Sequence, residues 1–240
     1  MTASSLRVSV LISGGFSGAY EKLLPEFERT SGIAVSTGSG ASQGNGPHTI
    51  AAQLARGVAA DVVILSREGL AELIVAHRIA AGTDVDLARV GLGVAVRAGA
   101  ATPDLSSVDA FRQTMLRAKT IAVPASTSGI WLKTDLIPRL GIADKIDLRM
   151  MPRGSGASAM VAAGEADLAV LPVSEVLVAP GVDFAGAVPP EIQMIQIFAA
   201  AIVAGSTAIE EAKRLIGFLA SPAAAETIKR SGMEPIATPR

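Results

Sequence analysis

RVSVLISGGFSGAYEKLLPEFER, residues 7–29, sets the fold. Arg7 to Ile12 alternates in polarity and is rich in β-branched residues, the pattern of a strand. It runs into Ser13-Gly14-Gly15-Phe16-Ser17-Gly18, a small-residue loop. From Ala19 to Arg29 the period lengthens, with Leu23, Leu24 and Phe27 on one helical face. A strand, a glycine- and serine-rich loop and a helix in that order make the opening of a βαβ unit.

The same order recurs along the chain. Ile33 to Ser36 reads as a strand, followed by the Gly/Ser-rich stretch from Gly38 to Gly46. Pro47 suits the first turn of a helix reaching about Arg56. Asp61 to Leu65 is a continuous apolar strand, with a helix at Glu68 to Ala76. Arg89 to Arg97 is a strand with glycines inside it; Val108 to Ala118 is helical and Thr120 to Val123 extended. Ser126-Thr127-Ser128-Gly129 opens a helix from about Ile130 to Leu140. A strand at Leu148 to Met151, a helix at Ala157 to Ala163 and a buried strand at Leu168 to Leu171 follow. Pro180 to Pro190 reads as loop, Ile192 to Val203 as extended, and helices at Ile209 to Leu219 and Ala223 to Ser231 finish the chain.

This layout predicts an α/β chain in two βα lobes. Residues 1–85 and 198–240 make the first, and 86–197 the second. The long strands near 89–97 and 193–203 are the hinge crossings, which permits closure on a ligand held between the lobes. The 240-residue length suits two lobes.

Composition removes several function classes. Net charge is −1 with no Lys/Arg run, so nucleic acid is not expected as a partner. Cysteine is absent, which excludes disulfides, thiol nucleophiles and thiolate metal sites; two histidines leave little for a transition metal. No metal and no other cofactor is expected. No run reaches the ~18 apolar residues of a membrane span. Residues 1–12 are too short to hold the three parts of a secretory leader, so the chain reads as cytoplasmic as written, or periplasmic if it starts at a mature N-terminus.

Four segments place small residues between a strand's carboxyl end and a helix: Ser13–Ser17, Ser39–Asn45, Ser126–Gly129 and Gly154–Ser158. In open parallel sheets that edge is where ligands bind. Free N–H groups at a helix start favour an anion, and serine hydroxyls add donors. Each such loop alone is an ordinary helix cap; four at corresponding positions in two lobes point to a small anionic ligand. The candidate ligand-binding residues are Ser13, Gly14, Gly15, Phe16, Ser17, Ser39, Ser42, Ser66, Arg67, Ser126, Thr127, Ser128, Gly129, Arg153, Ser155 and Ser174.

The chain resembles the molybdate-binding family of solute-binding proteins nearly end to end. The resemblance is carried by LLPEFERTSGIAVSTGSGAS (23–42), AADVVILS (59–66), IAVPASTSG (121–129), RLGI (139–142), VAAGEADLAVL (161–171) and IGFLASPAAAETIKRSG (216–232). It implies the type II periplasmic-binding fold, with the ligand held by serine hydroxyls and backbone amides, and an ABC transporter as partner if the protein is exported. The chain is also similar to a branch of that family that includes aconitate isomerase.

Departures from the family pattern bear on the ligand. The loop GASQGNGPH (40–48) is longer and carries His48; Leu171-Pro172-Val173-Ser174 stands where the family has a tyrosine. Arg67 and Arg153 sit beside two of the loops, and arginine suits a carboxylate, which it grips with two parallel hydrogen bonds. Two functions remain open. One is a binder of an oxyanion or a di- or tricarboxylate. The other is an isomerase of an unsaturated carboxylate, with His48 or Glu175 moving the proton. Trp131 and Tyr20 are either walls of the ligand site or core.

Overall fold

The computed structural model describes residues 6–236; Met1–Ser5 of the segment read for a leader, and residues 237–240, lie outside them. In chain order the elements are β1 (Arg7–Ile12), α1 (Gly14–Ser31), β2 (Ala34–Ser39), α2 (Ile50–Ala55), β3 (Val62–Ser66), α3 (Arg67–Val75) and β4 (Val85–Arg97). Then come α4 (Val108–Arg117), β5 (Ile121–Pro124), α5 (Thr127–Trp131), α6 (Ile137–Arg139), β6 (Leu148–Met151), α7 (Gly154–Ala163), β7 (Leu168–Pro172), α8 (Val173–Val176) and β8 (Val182–Ala187). The last are β9 (Ile195–Ile202), α9 (Ile209–Leu219), α10 (Pro222–Arg230) and β10 (Glu234–Pro235). The chain divides into two compact units: Met1–Arg89 with Ile197–Arg240, and Val90–Gln196. It crosses from the first to the second inside β4 and returns inside β9.

In the first unit β2, β1 and β3 are parallel in that spatial order, and β9 closes the set antiparallel to β3. β3 is buried along its whole length, as a strand covered on both faces must be. Val63 and Leu65 meet Ile50 and Leu54 of α2 and Leu70 and Leu73 of α3 on one side. On the other, α1 packs with α9 and α10, and Phe27 meets Phe218 with ring centres 5.6 Å apart. At the amino end of β3, Asp61 accepts from Ser9 N and Oγ and from Ser206 Oγ, tying β1, β3 and the chain after β9 together.

The second unit repeats the design. β6, β5 and β7 are parallel, and β4 lies antiparallel to β7. Phe111 and Met115 of α4, and Leu132 and Leu136 beyond α5, fill the core on one face; Ala157 and Val161 of α7 pack on the other. Gln193 replaces a missing stretch of ladder: its amide accepts from Leu92 N and donates to Leu92 O and Val188 O.

Three expectations need correction. α1 starts at Gly14, α5 at Thr127 and α7 at Gly154, so three of the four small-residue segments supply first helical turns rather than loops, while Ser39–Asn45 stays non-helical ahead of α2. The stretch 180–190 is not all loop, because Val182–Ala187 pairs with β4 through a shift in register at Val94/Ala95. The helix expected over Ile130 to Leu140 is interrupted by a wider π turn at Leu132–Leu136.

Candidate functional site

In the first unit the carboxyl ends of β1, β2 and β3 are drawn together by backbone hydrogen bonds. Ser13 N donates to Ile64 O (2.8 Å) and Gly40 N to Ile12 O (3.0 Å). Three buried serines collect there. Ser42 Oγ accepts from Ser66 N (2.9 Å), and Ser66 Oγ caps α3 by accepting from Gly69 N (3.2 Å). Ser13, the N-cap of the 18-residue α1, makes no side-chain cap bond, and its buried hydroxyl has no partner among the described residues. An uncommitted hydroxyl in front of a helix N-terminus is a donor aimed where an anion is favoured.

The surroundings explain the glycines. A Cβ at Gly15 would run into the Phe198 ring, and one at Gly69 into Ser42 O. Phe16 is buried with its ring 6.5 Å from Phe198, and Ser17 Oγ donates to Gly14 O (2.8 Å). Ser39 is exposed at the end of β2, and its carbonyl accepts from Gln53 Nε2 (3.0 Å). Arg67 is directed elsewhere than the sequence suggests. Its Nη1 donates to Asp84 (2.6 Å) and its Nε to Asp86 (2.7 Å), so the guanidinium is held between two carboxylates of its own unit. His48 faces solvent just before Thr49, the residue that caps α2. Tyr20 is core: its hydroxyl pairs with Thr37 (2.8 Å), and burial pushes its pKa up to about 12. Trp131 packs against the core of the second unit.

That second unit presents its own strand ends. Ala125 N donates to Met151 O (2.6 Å), bringing the exits of β5 and β6 side by side. Ser126 is the N-cap of α5, and Thr127, Ser128 and Gly129 form its buried first turn. Gly129 is obligatory there, because a Cβ would collide with Pro124 O. Arg153 is the N-cap of α7, Ser155 is exposed in its first turn, and Ser174 is buried in α8.

Glu175 is the unusual group. It lies deep in protein yet keeps part of its surface accessible, and its carboxylate sits against Gly154, where a Cβ would otherwise be. Among the described residues no hydrogen bond reaches that carboxyl. Removal from water pushes its pKa up to about 7, with the Arg153 charge pulling the other way. A carboxyl balanced near neutrality can both take and return a proton. The short helix α8 has Glu175 in its first turn, as expected of an acid there, but the sequence carries no sign of the Gly154 contact. Ser158, the last residue of the Gly154–Ser158 segment, was not singled out by the sequence. It is buried in α7, and its hydroxyl has no partner among the described residues.

No helix among the described residues is long and apolar enough to cross a membrane. The family model for bacterial extracellular solute-binding proteins matches residues 8–234. An aconitate isomerase from Pseudomonas sp is 36% identical over 232 residues, covering 95% of this chain and 88% of that protein. Among solved structures, the sulfate-binding protein SubI from Mycobacterium tuberculosis H37Rv superposes with a TM-score of 0.72 at 19% identity, over 96% of this chain and 87% of that one. The periplasmic molybdate-binding protein of Azotobacter vinelandii gives 0.69 at 19% identity, over 97% and 100%.

Proposed function

Because this chain belongs to the bacterial extracellular solute-binding protein family, with the α/β fold of the periplasmic binding proteins, we propose that the small anion it binds is a di- or tricarboxylate and that it isomerises this ligand by moving an allylic proton. The observation that carries the chemistry is Glu175: a carboxyl with no hydrogen bond among the described residues, partly accessible, raised to about 7 and under the charge of Arg153. The 36% identity to an aconitate isomerase over 95% of the chain supports the same reading.

Trans-aconitate illustrates the step. Glu175, ionised, takes a proton from the methylene carbon, and the electron pair spreads over the allylic system and its carboxylates. The same acid returns a proton to the far carbon, the double bond moves by one position, and either geometric isomer can form. Such a step needs one acid/base near neutrality and donors for the developing enolate charge. Within the unit that carries Glu175, the first turns of α5 and α7 are suitable donors, and Arg153 suits a substrate carboxylate. His48 faces solvent, so the proton is assigned to Glu175.

Proton NMR of trans-aconitate in D2O with the purified protein tests this directly. Formation of the cis isomer with deuterium at carbon is expected. Unchanged substrate whose lines broaden on binding would remove the chemistry. It would leave the second reading: capture of a carboxylate for an ABC transporter, in keeping with the extracellular solute-binding family.

A further inference from the structure

Among the described residues two polar groups of the second unit have no hydrogen-bond partner, and the helix α7 brings them to one face. Glu175 has a carboxylate against Gly154 and no hydrogen-bond donor among the described residues. Ser158 has a buried hydroxyl and no acceptor. Ser158 follows Gly154 by four residues in α7, which puts both on the same side of the helix, one turn apart. Helical side chains lean toward the N-terminus, so Ser158 covers the turn that contains Gly154, where the carboxylate lies. A serine inside a helix ordinarily donates back to the carbonyl four residues earlier, here Gly154 O. Ser158 does not, and its proton is uncommitted.

A neutral carboxyl and a hydroxyl can coexist without bonding. An ionised carboxylate is acceptor-only and calls for donors. We infer that Ser158 is a positioning residue for Glu175: its hydroxyl turns to the carboxylate when the proton leaves, holding the anion in place and setting how readily it forms. This inference rests on Glu175 being the proton carrier proposed above. The other elements packed on α8 offer no competitor. α7 and β7 carry no titratable side chain, Asp183 of β8 accepts from Gly99 N (2.8 Å), and β4, which meets Val173 at Gly93, brings Arg97 to Gly164 at the other end of α7 from Gly154. Arg153 is the remaining charge that acts on Glu175, and it acts by field. Without the Ser158 donor the anion is less favoured, so the group holds its proton to higher pH.

The test is a carboxyl-carbon NMR titration of the full chain labelled at glutamate, with the Glu175 signal identified by its loss in E175Q. S158A is expected to move the midpoint upward by about one pH unit, a tenfold change in ionisation constant. S158C, close in shape and a weak donor, is expected to move it the same way and replaces S158A if alanine impairs folding. A wild-type midpoint in either folded variant overturns the role of Ser158. The titration needs no substrate, so the two proposals fail separately. A shifted midpoint in a protein that isomerises nothing discards the reaction alone, and an unshifted one in an active protein discards Ser158 alone.

Discussion

Glu175 ionises against two opposed influences, the protein bulk that removes it from water and the positive charge of Arg153, and the bulk dominates. The folded state therefore holds a proton that the unfolded chain, with an ordinary value of 4.5, releases earlier. A carboxyl raised in this way adds nothing to instability below 4.5. As pH climbs from 4.5 through about 7 the folded state loses stability relative to the unfolded one, and above that the loss is constant. The interval corresponds to at most about 3 kcal/mol, and less where water reaches the accessible face. E175Q is neutral at every pH. It is expected to match the wild type in calorimetric Tm at pH 4 and to exceed it by about 5 °C at pH 8.5, using ~2–4 °C per kcal/mol for a chain of this size. Equal Tm values at pH 8.5 would show that Glu175 ionises unhindered. The same variant is expected to lose isomerisation by about 10²–10⁴-fold, the usual worth of a general acid/base. H48A, altering a solvent-facing ring, is expected to keep turnover within about twofold, and a large loss in the NMR assay would return His48 to the mechanism.

At the scale of elements, the sequence marks where strands give way to helices but starts three of the helices late. Gly14, Thr127 and Gly154 have poor helix propensity and read as loop, yet each is the first residue of a helix. The reason lies in contacts distant in sequence: Phe198 against Gly15 and the Glu175 carboxylate against Gly154. Neither of these pairs has a periodicity that a local window can see. β8 was hidden differently, since Pro180, Gly181, Gly186 and two more prolines at 189 and 190 obscure a six-residue strand that exists only by pairing with β4. Two neighbouring glycines of α7 give a paired prediction. G154A forces a Cβ into the Glu175 carboxylate and is expected to lower stability by about 1–3 kcal/mol and displace the acid, with turnover falling about 10²-fold or more. At Gly156 the nearest atoms to an added Cβ are Cβ and Cε of Met151 at 3.5 and 3.6 Å, an ordinary contact. G156A is expected to be neutral or to stabilise by up to ~1 kcal/mol through helix propensity. Urea denaturation of the two variants compares them, and equal destabilisation would mean that Gly154 is small for a reason other than Glu175.

For the molecule as a whole, the family was legible because its segments are spread over almost the full chain, from residues 23–42 to 216–232, and the matching family model spans 8–234. The ligand was less legible, since serines and helix starts take any small anion, and the residues bearing on its chemistry meet only in the folded unit. Binding and chemistry separate by linkage. A ligand that binds only the folded protein stabilises it by about 2.7 kcal/mol at a hundredfold excess over Kd. For 240 residues that is a Tm rise of roughly 5–10 °C. Trans-aconitate is expected to produce such a rise at pH 7, whereas molybdate and sulfate, which lack the carboxylate pattern that Arg153 can grip, produce none. The rise is expected to persist in E175Q, because the glutamine keeps the site's shape and its helix N-termini while losing the proton carrier. A rise with molybdate or sulfate and none with trans-aconitate would give the anion site to tetrahedral oxyanions and leave Glu175 without a substrate. A rise with trans-aconitate in the wild type that vanishes in E175Q would make Glu175 a ligand contact first, with its role in proton transfer then resting on the deuterium experiment alone.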